Sequence, residues 1–402
     1  MIDIISKLYV LTVAILSLYG LLGLLTLWLY WRHRHDVTVC PPVDEADLPP
    51  VTVQLPIFNE RFVVQRLIET AVALDYPTDR LHIQVIDDST DDTTTQAAEL
   101  VTRYQAEGIN INLLHRDNRQ GFKAGALANA LAHDHSDFIA IFDADFQPQP
   151  DFLQRTIPYF MAESDLDMLQ ARWGHLNDQA SPLTAAQAIA LDKHFAMEQT
   201  VSDRAAFFPK FNGSGGIWRR SCIERAGGWR DDTVCEDLCL STRAALQGCH
   251  FRFLNDVVAP AELPLSMTAF KSQQSRWAQG STQCLWKYGR SILTDHHHTL
   301  LGRLYGLLSM SLYTAHPLLI ILLLLLVPLI YANYHFSGDM VVFSIVGIGQ
   351  PLLFILGQQV LYPDWRQRLH YLPTLLLVAI GLAPSVSRAI LQALFKRHNT
   401  FV

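Results

Sequence analysis

The sequence predicts an α/β domain with a mostly parallel sheet, inserted between a membrane-spanning helix at the N-terminus and a bundle of them at the C-terminus. Three observations predict it. Half of the 402 residues are hydrophobic and 17% are charged. With a mean hydropathy of +0.15, the chain is too apolar for an ordinary soluble domain and too charged for a bare membrane bundle. Tyr9 to Trp31 is a stretch of about 23 residues without a charge, enough to cross a bilayer as a helix. Between Val51 and Asp143, short apolar runs alternate with segments of helical spacing, as βαβ units of a parallel sheet do.

Residues 1–35 form the first membrane element. It is too long for a signal-peptide core, and no small-residue cleavage site follows it. Arg32, His33, Arg34 and His35 come directly after it, against a single Lys7 before it. The excess of positive charge places the next segment on the cytoplasmic side. An acidic, Pro-rich linker, 36–50, leads to strands at Val51–Phe58, Leu81–Ile86, Ile109–His115 and Phe138–Asp143, with helices at Glu60–Leu74, Asp91–Gln105 and Gly121–His133. The dinucleotide glycine fingerprint and the Gly-x-x-x-x-Gly-Lys loop are both missing, so a metal and basic side chains would have to hold any phosphate.

The α/β domain is expected over 51–290, with an irregular pattern after Asp151. Residues 291–402 are expected to hold an interfacial helix and the C-terminal spans. These are Leu304–Tyr331, with Pro317 and Pro328 as kinks or ends, then Met340–Leu361 and Tyr371–Leu394. Arg366 and Arg368 suit the inside, and the Lys396-Arg397 tail favours it too. The last segment therefore either spans against the charge rule or breaks at Pro384, with its second half lying in the interface as an amphipathic helix.

A net charge of -7 without a basic stripe gives no sign of a nucleic-acid partner. Six cysteines, four of them between Cys222 and Cys249, do not make a disulfide scaffold and suit a reducing compartment. They read as small buried thiols. The alternative is a metal grouping of Cys235, Cys239 and Cys249, at a spacing unusual for zinc.

The stretch Phe142-Asp143-Ala144-Asp145-Phe146 ends an apolar strand with two carboxylates one residue apart. Open α/β sheets place ligands at the carboxyl ends of their strands, and alternate residues of an extended chain point the same way. Both carboxylates can then face one hard cation, Mg²⁺ or Mn²⁺, bridging to a phosphate. A solvated Asp-x-Asp turn is the plainer alternative. Asp87-Asp88, Glu236-Asp237 and Gln273-Gln274-Ser275-Arg276-Trp277 complete the series.

Together with Gln170-Ala171-Arg172-Trp173, the Phe211–Arg219 run, Gly227-Gly228-Trp229 and Val234–Leu238, these motifs resemble the membrane-bound family 2 glycosyltransferases. The likeness is greatest to the cellulose-synthase-like mannan and glucomannan synthases and their bacterial relatives. It covers about Pro50 to Gly289 and, more loosely, the membrane helices.

The resemblance implies a Rossmann-like glycosyltransferase A fold and an enzyme that moves a hexose from GDP-mannose or UDP-glucose. The acceptor is a growing β-linked polysaccharide or, by single transfer, a membrane lipid. A non-catalytic nucleotide-sugar-binding membrane protein is a third reading, which the presence of Asp145 and Asp237 disfavours. Asp143 and Asp145 are the expected metal ligands beside the nucleotide sugar. Lys123, within Arg116-x-x-Arg119-x-Gly-Phe-Lys123, adds positive charge to the phosphates. Asp87 and Asp88 hydrogen-bond the base and ribose, cap the following helix, or both.

Asp237, with Glu236 beside it, is the expected general base. The family's Thr-Glu-Asp motif carries Cys235 at its first position here, losing a capping hydroxyl. One base, one leaving-group metal and no second carboxylate as nucleophile point to single displacement with inversion. Gln273 and Trp277, four apart on one helix face, belong to the acceptor, and Arg276 to the diphosphate. Trp173 and Trp218 stand between sugar platform and core packing. The expected setting is a multi-pass protein of a bacterial inner membrane with its catalytic domain cytoplasmic; the oligomeric state is left open.

Overall fold

The computed structural model describes residues 1–36, 39–336 and 338–395. Lys396 and Arg397, which bear on orientation, lie outside them. The described residues divide into two compact units, a sheet unit (39–176 and 209–262) and a helical unit (1–36, 177–208 and 263–395).

The chain visits each unit more than once. Helix α1 (Ile2–His33) belongs to the helical unit. The sheet unit follows with β1 (Val51–Ile57), α2 (Val64–Val72), β2 (Leu81–Asp87), α3 (Thr93–Ala106), β3 (Ile111–His115), α4 (Phe122–Ala132), β4 (Phe138–Ile141), α5 (Ile157–Ala162) and β5 (Leu166–His175). The helical unit takes α6 (Pro182–Lys193), a π-turn (His194–Gln199) and α7 (Thr200–Arg204). The sheet unit resumes with β6 (Gly216–Arg219), α8 (Arg220–Arg225), α9 (Glu236–Ala245) and β7 (His250–Ala261). The helical unit ends the chain with α10 (Met267–Leu293), α11 (Leu300–Met310), α12 (Ala315–Tyr331), α13 (Val341–Gly347), α14 (Gly349–Leu361), α15 (Trp365–Arg368) and α16 (Leu372–Phe395).

The sheet unit is not continuous in sequence. Residues 177–208 and 263–290 fold as helices of the other unit, because their apolar faces pack there: Val201 and Phe207 against Leu22, Leu29 and Tyr305, and Phe270 and Ala278 against Leu382, Val386 and Ile390.

Among the described residues the sheet has seven strands in the order β3-β2-β1-β4-β6-β5-β7. β1 pairs in parallel with β2 and β4, β2 with β3, and β5 with β7. Only β6 runs against its neighbours β4 and β5. The mostly parallel sheet expected from the alternation is present. Residues 51–57 are nearly all buried, as a central strand requires. Pro56, which has no N–H to give, falls beyond the β4 pairing, which stops at Gln54.

Period-two alternation sorts the two faces. Val51, Val53, Leu55 and Ile57 pack with Leu67, Ile68 and Ala71 of α2 and with Ala97 and Val101 of α3. The opposite face carries Gln54 and Gln84, fully buried. Gln54 Nε2 donates to Gln84 Oε1 at 3.0 Å, and Gln84 donates to the Ala130 carbonyl of the Ala-rich α4 at 3.4 Å. Helices thus cover both faces. Because β2 and β3 lie on one side of β1 and β4 on the other, the strand order reverses between β1 and β4. That reversal opens a crevice at their carboxyl ends.

In the helical unit, four described segments are long and apolar enough to cross a membrane: Ile2–His33, Leu312–Tyr331, Val341–Leu361 and Trp365–Phe395. The expected Leu304–Tyr331 segment is divided at Ser311 rather than at Pro317, which sits in the first turn of α12, where proline is tolerated. α16 continues through Pro384 as one helix, so the break considered there does not occur. Gly20 and Gly23 of α1 lie against the backbone of Val346 and Gly349, where a Cβ on Gly23 would come within 2.6 Å of the Gly349 carbonyl carbon. Small residues of this kind let apolar helices cross closely.

Candidate active site

The crevice is built from short loops that follow β1, β2 and β4, closed by the loop before β6. β4 stops after four residues, so Asp143 and Asp145 stand just past the paired strand. The turn is fixed on its far side by the Glu262 N–H, which donates to the Asp145 carbonyl at 3.1 Å.

Lys123, at the start of α4, reaches into this crevice. Its Nζ lies 2.5 Å from Asp143 Oδ1 and 3.7 Å from Glu236 Oε1, and it donates to the Gly213 carbonyl at 3.0 Å. Burial alone would lower the amine, but Asp143 and Glu236 outweigh it and hold Lys123 above the usual lysine range. The helix start that delivers it depends on glycine. Gly121 has φ +74°, and a Cβ on Gly125 would fall on the Gln120 carbonyl oxygen.

Residues 212–215 organise the rest. Ser214 Oγ accepts the Asp143 N–H at 2.9 Å. Gly213, at φ +88°, passes so close to Asp237 that a Cβ would lie 2.9 Å from Oδ2. The buried Gln170 amide holds this loop, accepting from the Asn212 N–H at 3.0 Å and donating to the Ser214 carbonyl at 2.9 Å. Sequence reasoning placed Gln170 and Ser214 within motifs without seeing these contacts. It also missed Glu60, after β1, whose charge acts on Asp145 and which burial and Asp143 push above the usual carboxylate range.

Electrostatics separate the acids into two groups. Asp145 is pushed up to about 7, first by burial and then by Asp143. Asp237 is also pushed up to about 7, first by burial and then by Glu236. Asp87 is different. Its Oδ1 accepts the Ser89 N–H at 2.9 Å, and its Oδ2 accepts the Thr94 hydroxyl at 2.6 Å, with His115 Nδ1 at 2.8 Å. Burial opposes its charge, but these donors win and hold it below the usual range. Asp88 takes the Arg116 fork, Nε at 2.7 Å and Nη2 at 2.5 Å. Neither Asp87 nor Asp88 caps α3. Its first free N–H, on Thr93, is taken by Asp91 at 3.0 Å.

The structure thus brings together Lys123, Asp143, Glu236 and Asp237, with Asp145 coupled to them by charge. Gln273, Arg276 and Trp277 lie on α10 in the helical unit, with Arg276 exposed. Cys235 starts α9 without a side-chain cap, as its missing hydroxyl implies. Trp218 is fully buried against Phe211 and belongs to the core. Trp173 is half-buried and donates to the Ser214 carbonyl at 2.9 Å. The grouping of Cys235, Cys239 and Cys249 is not the one formed; among the described residues Cys249 meets Cys222 and Asp167.

The donor set fits a divalent cation. Several carboxylates share one crevice with Lys123, and two are pushed toward neutrality at pH 7. A hard cation relieves such crowding, and carboxylate oxygens are its preferred ligands.

Residues 49–280 match a family described as "Glycosyltransferase like family 2". Glucomannan 4-beta-mannosyltransferase 1 of Oryza sativa subsp. japonica is 40% identical over 277 residues, 66% of this chain and 53% of that protein. Glucomannan 4-beta-mannosyltransferase 7 of Arabidopsis thaliana is 35% identical over 375 residues, 91% of this chain and 62% of that protein. The chain spans about half the length of the first of these. Among solved structures, the mannosyltransferase PcManGT from Pyrobaculum calidifontis, in complex with GDP-Man and Mn²⁺, superposes with a TM-score of 0.67 at 20% identity, over 99% of this chain and 100% of that one. This last likeness shows the fold.

Proposed function

The chain belongs to glycosyltransferase family 2, and from that premise we propose that it moves a mannosyl residue from GDP-mannose to a β-linked glycan, by single displacement with inversion. The observation that carries this reading is the loop at 212–215. It holds Asp143 through Ser214 and abuts Asp237 through Gly213, so a candidate phosphate-metal ligand and a candidate base are set by one element. The glucomannan mannosyltransferases among its relatives support mannose and a glycan acceptor.

Asp143 and Asp145 would hold the Mn²⁺ or Mg²⁺. When bound, the cation supplies positive charge to the departing diphosphate. Lys123 supplies a second, fixed positive charge to the same phosphates. Asp237 takes the proton from the attacking acceptor hydroxyl as that oxygen bonds to the anomeric carbon and the sugar–phosphate bond breaks. An α-linked donor then yields a β-linked product. A carboxyl held near 7 suits this role, since a base works best when its proton affinity lies close to the working pH. Glu236 keeps that affinity raised. Asp87 and Asp88 are assigned to the nucleoside, supported by His115 and Arg116. Gln273 and Trp277 are assigned to the acceptor and Arg276 to the diphosphate on the strength of their motif. The proposed setting is a multi-pass membrane protein with the sheet unit on the cytoplasmic side.

The test uses the full chain in lipid nanodiscs with Mn²⁺ or Mg²⁺, given radiolabelled GDP-mannose or UDP-glucose. Label in ethanol-insoluble material that a β-mannanase releases is the expected result. Label in the organic phase would move the acceptor to a lipid. Incorporation from UDP-glucose alone would overturn the donor, and nucleotide binding without release of GDP would overturn the enzyme reading.

A further inference from the structure

A second chemical grouping lies in the sheet unit, away from the carboxylates used above. Cys222 is buried on α8, and Cys249, half-buried, immediately precedes β7. Their sulfurs are 2.8 Å apart, with Cys222 as the S–H donor and Cys249 as the acceptor. Arg225 Nη2 is 3.5 Å from Cys249 Sγ and 2.6 Å from Asp167 Oδ1. The two thiols are therefore not equivalent. The hydrogen bond from Cys222 pulls Cys249 below the usual thiol range, with Arg225 assisting against burial and Asp167. The same bond and burial push Cys222 up. A half-buried cysteine beside a guanidinium, in contact with a buried one, is the arrangement of an attacking and a resolving cysteine.

We propose that Cys222 and Cys249 form a redox-active dithiol that closes to a disulfide when the protein meets hydrogen peroxide. The Cys249 thiolate attacks one peroxide oxygen and the O–O bond breaks. Cys249 becomes a sulfenic acid, and the released hydroxide takes the proton that the thiol had lost, giving water. Cys222 then gives up its proton as its sulfur displaces the sulfenic oxygen, which leaves as a second water. Two thiols lose two electrons and the peroxide gains them. A thiol reductant reverses the step by exchange.

The bridge ties α8 to the turn between α9 and β7, closing a loop that contains all of α9. That segment is already knitted by Arg243, which donates to the carbonyls of Ala226 and Gly228. The competing use of these atoms is a soft-metal site, since one ligand atom each from Asp167, Cys222 and Cys249 lies within 4.8 Å of the others. The geometry disfavours it: both oxygens of Asp167 are already engaged, Oδ1 by Arg225 Nη2 at 2.6 Å and Oδ2 by the His250 N–H at 3.1 Å, whereas the two sulfurs face each other.

The experiment treats the reduced full chain in nanodiscs with hydrogen peroxide, then maps peptides under non-reducing conditions after alkylation. The expected result is a Cys222–Cys249 cross-linked peptide and two fewer alkylatable thiols of the six, both reversed by dithiothreitol. Cys222→Ser should leave a dimedone-reactive sulfenic acid at Cys249, and Cys249→Ser should leave none at Cys222. The proposal falls if both sulfurs remain alkylatable after peroxide, or if the cross-link joins other cysteines. It also falls if the untreated protein retains stoichiometric zinc that shields both thiols. The wild-type map decides the matter even if a serine variant fails to fold.

Discussion

Asp87-Asp88 and Asp143/Asp145 end the two strands that flank β1, yet the fold treats their charge in opposite ways. The first pair is met by donors: Ser89, Thr94 and His115 on Asp87, and the Arg116 fork on Asp88. The second is met mainly by other carboxylates, with Lys123 on Asp143. Asp87 accordingly sits below its ordinary range, while Asp145 is pushed up to about 7. Position at a strand end does not decide what a carboxylate is for; the supply of hydrogen-bond donors does. A pair left crowded and short of donors is poised to take a cation, and a pair wrapped in donors is held in one orientation.

The comparison breaks most visibly at Asp145. Asp145→Asn should lower transfer by about 10³-fold and abolish Mn²⁺ binding measured by electron paramagnetic resonance, while the melting temperature holds. Wild-type turnover in this variant would end the metal assignment. Asp237→Asn should cost about 10²–10⁴-fold with GDP-mannose binding retained in a filter assay. Because the base acts ionised and its carboxyl is pushed up to about 7, kcat/KM should fall about tenfold per pH unit below that value and level off above it. Glu236→Gln removes the like charge and should move this limb to lower pH.

Asp87→Asn should weaken GDP-mannose binding, as its nucleoside assignment requires, and should act on stability as well. It leaves buried donors poorly matched and costs about 1–3 kcal/mol, seen as a lower thermal midpoint. The sign follows from the depressed native value. The Asp87 contribution is present above the ordinary carboxylate range, near about 4, and is lost as pH falls through the lower native value, so the variant should show less acid destabilisation than the wild type. The smallest effect is expected at Cys235→Thr. This restores a cap at the start of α9 and should add about 0.5–1 kcal/mol, with the pH profile unchanged; a shifted profile would mean that Asp237 is tuned by the cap and not by its charged neighbours.

Local pattern made much of this legible. The strands over 51–143 were readable because each is a short apolar run bounded by turns, and Asp143 and Asp145 followed from the end of one. Helix starts were less so. The helix expected from Glu60 begins at Val64, and residues 60–63 form a turn in which the Val63 and Val64 N–H groups donate to the Glu60 carbonyl. Nothing local says that Gln170 clamps residues 212–215, or that Ser214 takes the Asp143 N–H, since these pairs are distant in sequence. The same holds for Cys222 and Cys249, whose meeting depends on α8 and the start of β7 being brought side by side. The assignment of 177–208 to the helical unit was hidden because alanine-rich helices suit either surrounding.

The threading of the chain bears on how the molecule is made. β6 fills the place between β4 and β5, yet it is synthesised only after residues 177–208, which belong to the helical unit. Until Arg219 has left the ribosome, β4 (Phe-Ile-Ala-Ile) offers an unpaired, wholly apolar edge. Such an edge recruits other strands, and pairing over so long a sequence separation is slow. The nascent chain thus passes through a window of roughly 4–16 s, at about 5–20 residues per second, in which its middle strand is open to misassembly. Tethering α1 early in a bilayer would keep neighbouring copies apart during that window.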